Sequence, residues 1–311
     1  MKGEKVFTFA NFNCVFETGD KKKSYPMLEF FDVIHEASFL DRRYRGLFLH
    51  EVKLIKTENA GICLYGKIVK NTTLEIESRF DESKQKLIEI DEQYKASPYS
   101  EFILILQNHR LIFTPNQKGS PSLSNLSSVY KRNILQVLKK RSVEEKILQN
   151  LEFKLNISEI PKKAEVLKEL KEFEKISLFK LDFFELNNDD LSDFFDKANE
   201  IKDRIGSKEM KQEYKNPTNK AMIAKMIQET EGKADITLVA NKKDEKDVCY
   251  KNADFKEKKI IYLPEESTKD ENINRVIAES ITDQRLREIS PANKTAYEKA
   301  LEKFAFLRSL L

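Results

Sequence analysis

The chemistry most open to this sequence is contact with phosphate. Between Phe102 and Val143 there is no Asp or Glu, while seven basic residues fall in the same span: Arg110, Lys118, Lys131, Arg132, Lys139, Lys140 and Arg141. At the chain's overall acid frequency, 52 in 311, roughly seven acids would be expected there. Thr114, Asn116, Gln117, Ser120, Ser122, Ser124, Asn125, Ser127 and Ser128 are interspersed. Lys and Arg with small hydroxyl and amide groups are the residue types that hold phosphate oxygens without reading bases. Ser120-Pro121 has helix-start chemistry, a Ser cap followed by Pro in the first turn. That start places backbone N–H groups and a positive dipole end beside the loop delivering Lys118 and Gly119. Arg42, Arg43 and Arg45, with Tyr44 interleaved, would extend the track by pairing and stacking. A solvated basic face is the plainer alternative, because cations at 139–141 are favoured by a helix C-terminus whatever they bind.

A metal-dependent nuclease is a second chemistry. Asp41 and then Glu51-Val52-Lys53 match the loose spacing in which two carboxylates hold Mg²⁺ and a Lys positions water. Pairing of Asp41 with Arg42 or Arg45 is the simpler role, and Glu-x-Lys strings are frequent in a chain this rich in Glu and Lys, Glu82-Ser83-Lys84 being another. Cys14, Cys63 and Cys249 form no Cys-x-x-Cys pair and read as small core residues in a reducing compartment. His35, His50 and His109 form no zinc motif. The Gly-rich phosphate loops of nucleotide enzymes and the Gly-x-Ser-x-Gly elbow of hydrolases do not occur. No cofactor and no catalytic residue is therefore expected.

The composition frames these readings. The chain has 311 residues with 34% charged, 21 Phe and 10 Tyr, enough apolar mass for a core. Lys+Arg and Asp+Glu nearly balance at 55 and 52, but residues 1–150 carry a net +5 and residues 151–311 a net −2. No apolar run approaches the roughly 20 residues that span a bilayer, and no signal-peptide core is present, so a cytoplasmic location is expected.

Periodicity supplies the elements that must position these residues. Strands are expected at Val6–Phe16, Leu47–Ile55, Gly61–Val69 and Thr73–Glu77, with a helix from Tyr25-Pro26. Glu82–Tyr94 reads as a loop or irregular strand-and-turn region. Phe102–Leu106 and Leu111–Phe113 form a buried pair about an Asn108-His109 turn. Leu123, Leu126, Tyr130, Ile134 and Leu138 then follow helical spacing. The best boundary is the polar stretch Arg141–Asn150, which divides a basic 1–145 domain from a 146–311 domain. In the latter, Leu151–Ile157, Ala164–Phe173 and Ser177–Leu186 read as β–α–β. Further helices are expected at Asp190–Arg204, Pro217–Glu229, Glu271–Glu288 and from Ser290-Pro291. Strands are expected at Ile236–Ala240, Val248–Tyr250 and Ile260–Leu263. Phe179, Phe183, Phe184, Phe194 and Phe195 read as core or as a subunit interface. The fold class is α+β, in two parts.

Residues 102–130 show a buried strand, a short polar turn, a second strand ending Ile112-Phe113, then Gly119-Ser120-Pro121 and Leu at three-residue spacing. This stretch resembles RexA-type phage-exclusion proteins and, more loosely, the KwaB subunit of the Kiwa anti-phage system. The order after it, with Lys154 opening a β–α–β unit, is similar too. The resemblance implies a cytoplasmic bacterial or phage defence protein, DNA-binding and homodimeric, working with a second component that is often a membrane protein. It carries over to Arg110, Lys118 and the Ser120 helix start. The expectation is non-specific, non-catalytic DNA binding by residues 110–141 and by Arg42, Arg43 and Arg45, with dimerisation or partner contact from the second half. The rivals are the Asp41/Glu51/Lys53 nuclease and an interaction module that binds no nucleic acid.

Overall fold

A computed structural model describes residues 3–17, 27–40, 46–81, 83–145, 152–186, 192–207, 209–243 and 245–311. In chain order the elements are β1 (Glu4–Glu17), α1 (Met27–Ser38), β2 (Leu47–Thr57), β3 (Gly61–Lys70), β4 (Thr72–Asp81), β5 (Lys86–Ala96), β6 (Tyr99–Ile105), β7 (Arg110–Pro115) and α2 (Leu123–Glu145). There follow β8 (Glu152–Glu159), α3 (Val166–Lys171), β9 (Lys175–Phe183), α4 (Asp196–Arg204), β10 (Met210–Lys215), α5 (Lys220–Glu229), β11 (Ala234–Lys242) and β12 (Glu245–Lys251). The chain closes with α6 (Asn252–Phe255), β13 (Lys258–Tyr262), α7 (Lys269–Ser280), α8 (Gln284–Arg287), α9 (Pro291–Lys303) and α10 (Ala305–Arg308). This is the expected α+β class.

The main sheet has seven antiparallel strands, in the order β13-β1-β7-β6-β3-β2 with β8 also on β1. Period-two alternation gives it two buried faces. Phe12, Cys14, Phe16, Leu64, Phe102 and Leu104 pack beneath α1, α2 and the C-terminal helix α9. Phe7, Phe9, Tyr65, Ile103, Ile105 and Ile112 pack beneath α7, through Ile273, Val276 and Ile277. The C-terminal helix is anchored by Tyr297, whose Oη accepts from Ile62 N at 2.9 Å.

A second antiparallel sheet, β10-β9-β11-β12, is inserted between β8 and β13. Its inner face buries Phe179, Leu181, Phe183, Ile236 and Leu238 against Val166 and Leu170 of α3 and Ile223 and Ile227 of α5. Phe183 and Phe195 are core, Phe194 packs against that core, and Phe184 is half-buried, so the Phe-rich stretch is chiefly internal.

These contacts correct the expected division at residue 145. The β8 and β13 strands pair with β1, and α7 and α9 complete the cores on the two faces of its sheet, so the first unit takes both ends of the chain. The expected β–α–β is likewise split between two sheets, since β8 pairs with β1 and β9 with β10 and β11. Residues 83–94, expected as a loop or irregular region, fall in a β4–β5 hairpin, and Glu82 lies outside the described residues. The expected helix over Glu271–Glu288 ends at Ser280, and Asp283 caps the separate turn α8 by accepting from Arg285 N at 3.0 Å. Cys14 and Cys63 are core, but Cys249 is exposed on β12.

The two passages into the inserted unit run side by side, with Lys162 N donating to Phe255 O and Glu257 N to Ile160 O, both at 2.8 Å. Arg285, 5% exposed, clamps them: it donates to Pro161 O, to Glu257 at 3.1 Å and to Asp283 at 2.6 Å. Burial pushes the Asp283 carboxyl up, but the hydrogen bonds and charge of Arg285 outweigh it and hold Asp283 below its ordinary range. Asp283→Asn, which strips this buried guanidinium of one of its two carboxylates, should destabilise the protein by about 2 kcal/mol, read by denaturant unfolding at pH 7. The loss should shrink as pH falls through the carboxylate range.

Candidate nucleic-acid interface

The seven basic residues of the acid-free span do not share one face. Arg110 is 4% exposed, with Nε donating to Arg285 O at 2.9 Å and Nη1 to Asn11 Oδ1 at 2.7 Å. It is a structural tie between β1, β7 and α8, which corrects its assignment as a phosphate contact. Arg141 is bound by Asp32 at 2.8 Å and Glu36 at 2.7 Å on α1, and Lys140 approaches Glu36 at 3.5 Å. Arg132 is half-buried and donates to Leu47 O at 2.8 Å. Acids missing from 102–143 are therefore supplied by α1 to Arg141 and Lys140, while Arg132 is engaged by a carbonyl at the start of β2. Lys118, Lys131 and Lys139 are exposed. Arg42, Arg43 and Arg45 lie outside the described residues, as does Asp41.

The start of α2 lies two residues later than expected. Leu126 N donates to Ser122 O, Asn125 N to Ser122 Oγ, and Ser122 N to Asn125 Oδ1 at 2.9 Å. The cap is Ser122, in a reciprocal box with Asn125, because Ser120 Oγ is taken by Gln117 N at 3.0 Å in the preceding loop. From this cap, Ser124, Ser128, Lys131 and Leu135 follow each other at three- and four-residue spacing along the outward side of α2.

That side forms one wall of a cleft. Its upper part, about 770 Å³, is lined by Ser120, Ser122, Ser124 and Glu159 on one side and Lys180, Asp182, Asp235, Thr237, Lys251 and Lys256 on the other. It continues into a lower part of about 530 Å³ that shares Asp182 and Asp235 and adds Lys131, Leu135, Lys154, Glu185, Glu209 and Lys211. The far wall is the outer face of the inserted sheet. Alternation turns Lys180, Asp182, Asp235 and Thr237 outward wherever Phe179, Leu181, Phe183 and Ile236 turn in. The two walls are held together by Asn13, which donates to Glu185 O at 2.5 Å, and by Asn252, which donates to Ser158 Oγ at 2.7 Å. Gly232, at φ +75°, allows the turn before β11 to approach β8 so closely that a Cβ would sit 2.8 Å from Ser158 O.

Charge in the cleft is mixed but unevenly held. Lys180 pairs with Asp182 at 2.6 Å, and Lys154 with Glu185 at 3.4 Å and Glu209 at 3.2 Å. Lys251 donates to Thr237 Oγ1 at 2.8 Å. Asp182 and Asp235 are direct cross-strand partners, an arrangement that destabilises a sheet on its own account. Burial, then the charge of Asp182, pushes the Asp235 carboxyl above its ordinary range. Burial does the same to Glu159, seconded by Asp235 and Asp254. Carboxylates raised by burial and like charge in a cleft mark candidate functional sites. These lysines and acids escaped the sequence reading because they cancel in the composition of the second half; strand alternation was the signal that could have grouped Lys180 with Asp182.

The nuclease residues are placed differently. Glu51 sits at φ +49° in a bulge of β2, and its carboxylate accepts from Lys269 and, at 3.0 Å, from Lys67. Lys53 is bound to Asp270. Hydrogen bonds from Lys269, then from Lys67, pull the Glu51 carboxyl down to about 2. Among the described residues no group of three His, Cys, Asp or Glu side chains could hold a metal ion. Glu51 and Lys53 thus act as ion-pair partners of α7, and the metal grouping expected with Asp41 is not assembled by the described residues.

No family model matches the chain, and no curated protein matches it. Among the described residues, no helix is long and apolar enough to cross a membrane.

Two measurements check these placements. Arg110→Ala should cost about 3 kcal/mol of stability by leaving Asn11 and the Arg285 carbonyl unpaired in the interior, whereas Lys131→Ala should change stability by under about 0.5 kcal/mol. Glu51→Gln should cost about 0.5–1 kcal/mol at pH 7, screening by solvent being appreciable at this half-exposed site. Because the folded carboxyl titrates lower than the unfolded one, that difference is full above the ordinary carboxylate range. It should fade as pH falls through about 4 toward about 2.

Proposed function

We propose that this chain is a cytoplasmic, non-catalytic defence protein that holds a DNA backbone in the cleft over α2 without reading its bases. The carrying observation is the convergence of Lys131 on the acid-free outward side of α2 with Lys154, Lys180, Lys211, Lys251 and Lys256 across one groove. Hydroxyls of Ser120, Ser122 and Ser124 line the same groove, and Lys118 and Lys139 are exposed on either side of it in sequence. Lysines neutralise phosphates, and the neighbouring hydroxyls are the usual donors that fix register. The likeness of residues 102–130 to phage-exclusion proteins supports the defence role, action with a second, membrane-bound component, and a homo-oligomeric state.

Duplex DNA of about 20 base pairs should shift in a gel at 50 mM salt and release steeply as salt rises, as expected for several phosphate contacts. Lys131→Glu with Lys251→Glu and Lys256→Glu should weaken binding by at least about tenfold, while Lys140→Glu, on the α1 side of α2, changes it less than about threefold. Binding should tighten as pH falls toward the carboxylate range, because Asp235 and Glu159, both held above their ordinary range, gain protons before the other acids and stop repelling phosphate. Asp235→Asn should tighten binding at pH 7 and flatten that profile. Salt-insensitive or absent binding contradicts the reading.

One observation favours a second reading, a cleft for a protein segment: Glu159, Asp182, Glu185, Glu209 and Asp235 share the groove with the lysines. Under that reading the purified protein co-purifies with a partner and shows no nucleic-acid absorbance.

A further inference from the structure

A separate cavity lies on the opposite side of the main sheet, between its strands and α7. It encloses about 310 Å³. Phe7, Ile103 and Ile112 of the sheet and Ile273 and Val276 of α7 make its walls apolar. Apart from Leu263, its remaining lining is polar and gathered around Lys5, Tyr65, Glu101, Lys269 and Asn272. A concave apolar body with a few convergent polar groups is the ordinary form of a small-molecule site.

The polar groups define what such a molecule must carry. Glu101 accepts from Tyr65 Oη at 2.9 Å and from Lys5 Nζ at 2.8 Å. Lys269 lies over the Tyr65 ring, 4.8 Å from its centre, and reaches Glu51, which Lys67 also binds. The lining itself carries two ammonium groups, Lys5 and Lys269, and one carboxylate, Glu101, while the Glu51 carboxylate beyond it is shared between Lys269 and Lys67, leaving one net positive charge to attract an anion. Asn272 adds a directional requirement. Its Nδ2 points to Ser267 O at 3.4 Å, which orients the amide, and its Oδ1 is buried with no hydrogen-bond partner among the described residues. A buried acceptor left unpaired is costly, and a ligand N–H or O–H would relieve it.

We propose that this cavity binds a small amphipathic monoanion: an apolar body of phenylalkyl size against Ile103, Ile112 and Val276, a carboxylate beside Lys5 and Lys269, and a hydroxyl or N–H donor to Asn272. The site is independent of the cleft over α2, and its occupancy does not depend on DNA binding.

Calorimetric titration of the full chain with 4-phenylbutyrate, 4-phenylbutanol and 4-phenylbutylamine tests the charge preference. The carboxylate should bind about fivefold more tightly than the alcohol, and the amine most weakly, the increment expected of one partly exposed charge contact. Adding a donor, in 2-hydroxy-4-phenylbutyrate, should tighten binding further. Lys269→Gln, at an exposed position, should remove the carboxylate's advantage over the alcohol while leaving the alcohol's affinity unchanged. Val276→Trp, which fills the cavity, should abolish binding of all three. If that variant fails to fold, Ile103→Phe replaces it. The proposal is overturned if none of the compounds binds at millimolar concentration, if amine and carboxylate bind equally, or if Lys269→Gln weakens acid and alcohol alike.

Discussion

The pairing of β1 on both of its edges is the constraint on which the rest of the molecule depends. Residues 8–11 hold β7 on one side, while β13 lies along residues 4–8 and β8 along residues 10–17 on the other. One strand from the start of the chain thus fixes segments that begin near residues 110, 152 and 258. The inserted sheet leaves the main sheet at the end of β8 and returns at the start of β13, so both of its connections are held by the same strand. Arg285 clamps those connections, and Arg110 ties Arg285 back to β1 through Asn11. The cleft over α2 exists because this arrangement sets the outer face of the inserted sheet opposite the outward side of α2.

Charge is distributed in accordance with that frame. Where the chain needs rigidity, cations are buried or half-buried and bonded to carbonyls, amides or carboxylates, as at Arg110 and Arg285 in the interior and at Arg141 between α1 and α2. Where the two units face each other, lysines remain half-buried or exposed in a groove that also holds Asp235 and Glu159, whose carboxyls burial keeps above their ordinary range. Like charges on directly opposed strand positions, Asp182 and Asp235, weaken the inserted sheet.

Much of the local structure was legible in the sequence, and the reasons are specific. Phe102–Leu106 and Leu111–Phe113 are short apolar runs around a polar turn, and they form β6 and β7 with His109 at φ +57°. The apolar period of 123–138 gives α2, and Ser290-Pro291 gives the capped start of α9. Pairing partners were not legible, because alternation tells which side chains share a face and says nothing of which strand lies alongside. Hence β8 was grouped with β9 when it belongs to β1. Met210–Lys215 was missed as a strand because its apolar positions are too few to show a period. The cationic surface was half legible: the lack of acids at 102–143 marks α2, but burial of Arg110 depends on Asn11 and Arg285, far away in sequence. Lys180, Lys251 and Lys256 lay hidden in an acid-balanced half until the fold brought them opposite α2.

The groove between α2 and the inserted sheet is proposed to receive a polyanion. Amide hydrogen exchange of the full chain with and without a 20-base-pair duplex reads this directly. Exchange should slow in the Gln117–Lys131 segment and in the segments carrying Lys180, Asp235 and Lys251, with β2 and α7 unchanged. Protection confined to β2 and α7, or a DNA-bound protein with no change on either wall of the groove, would contradict it.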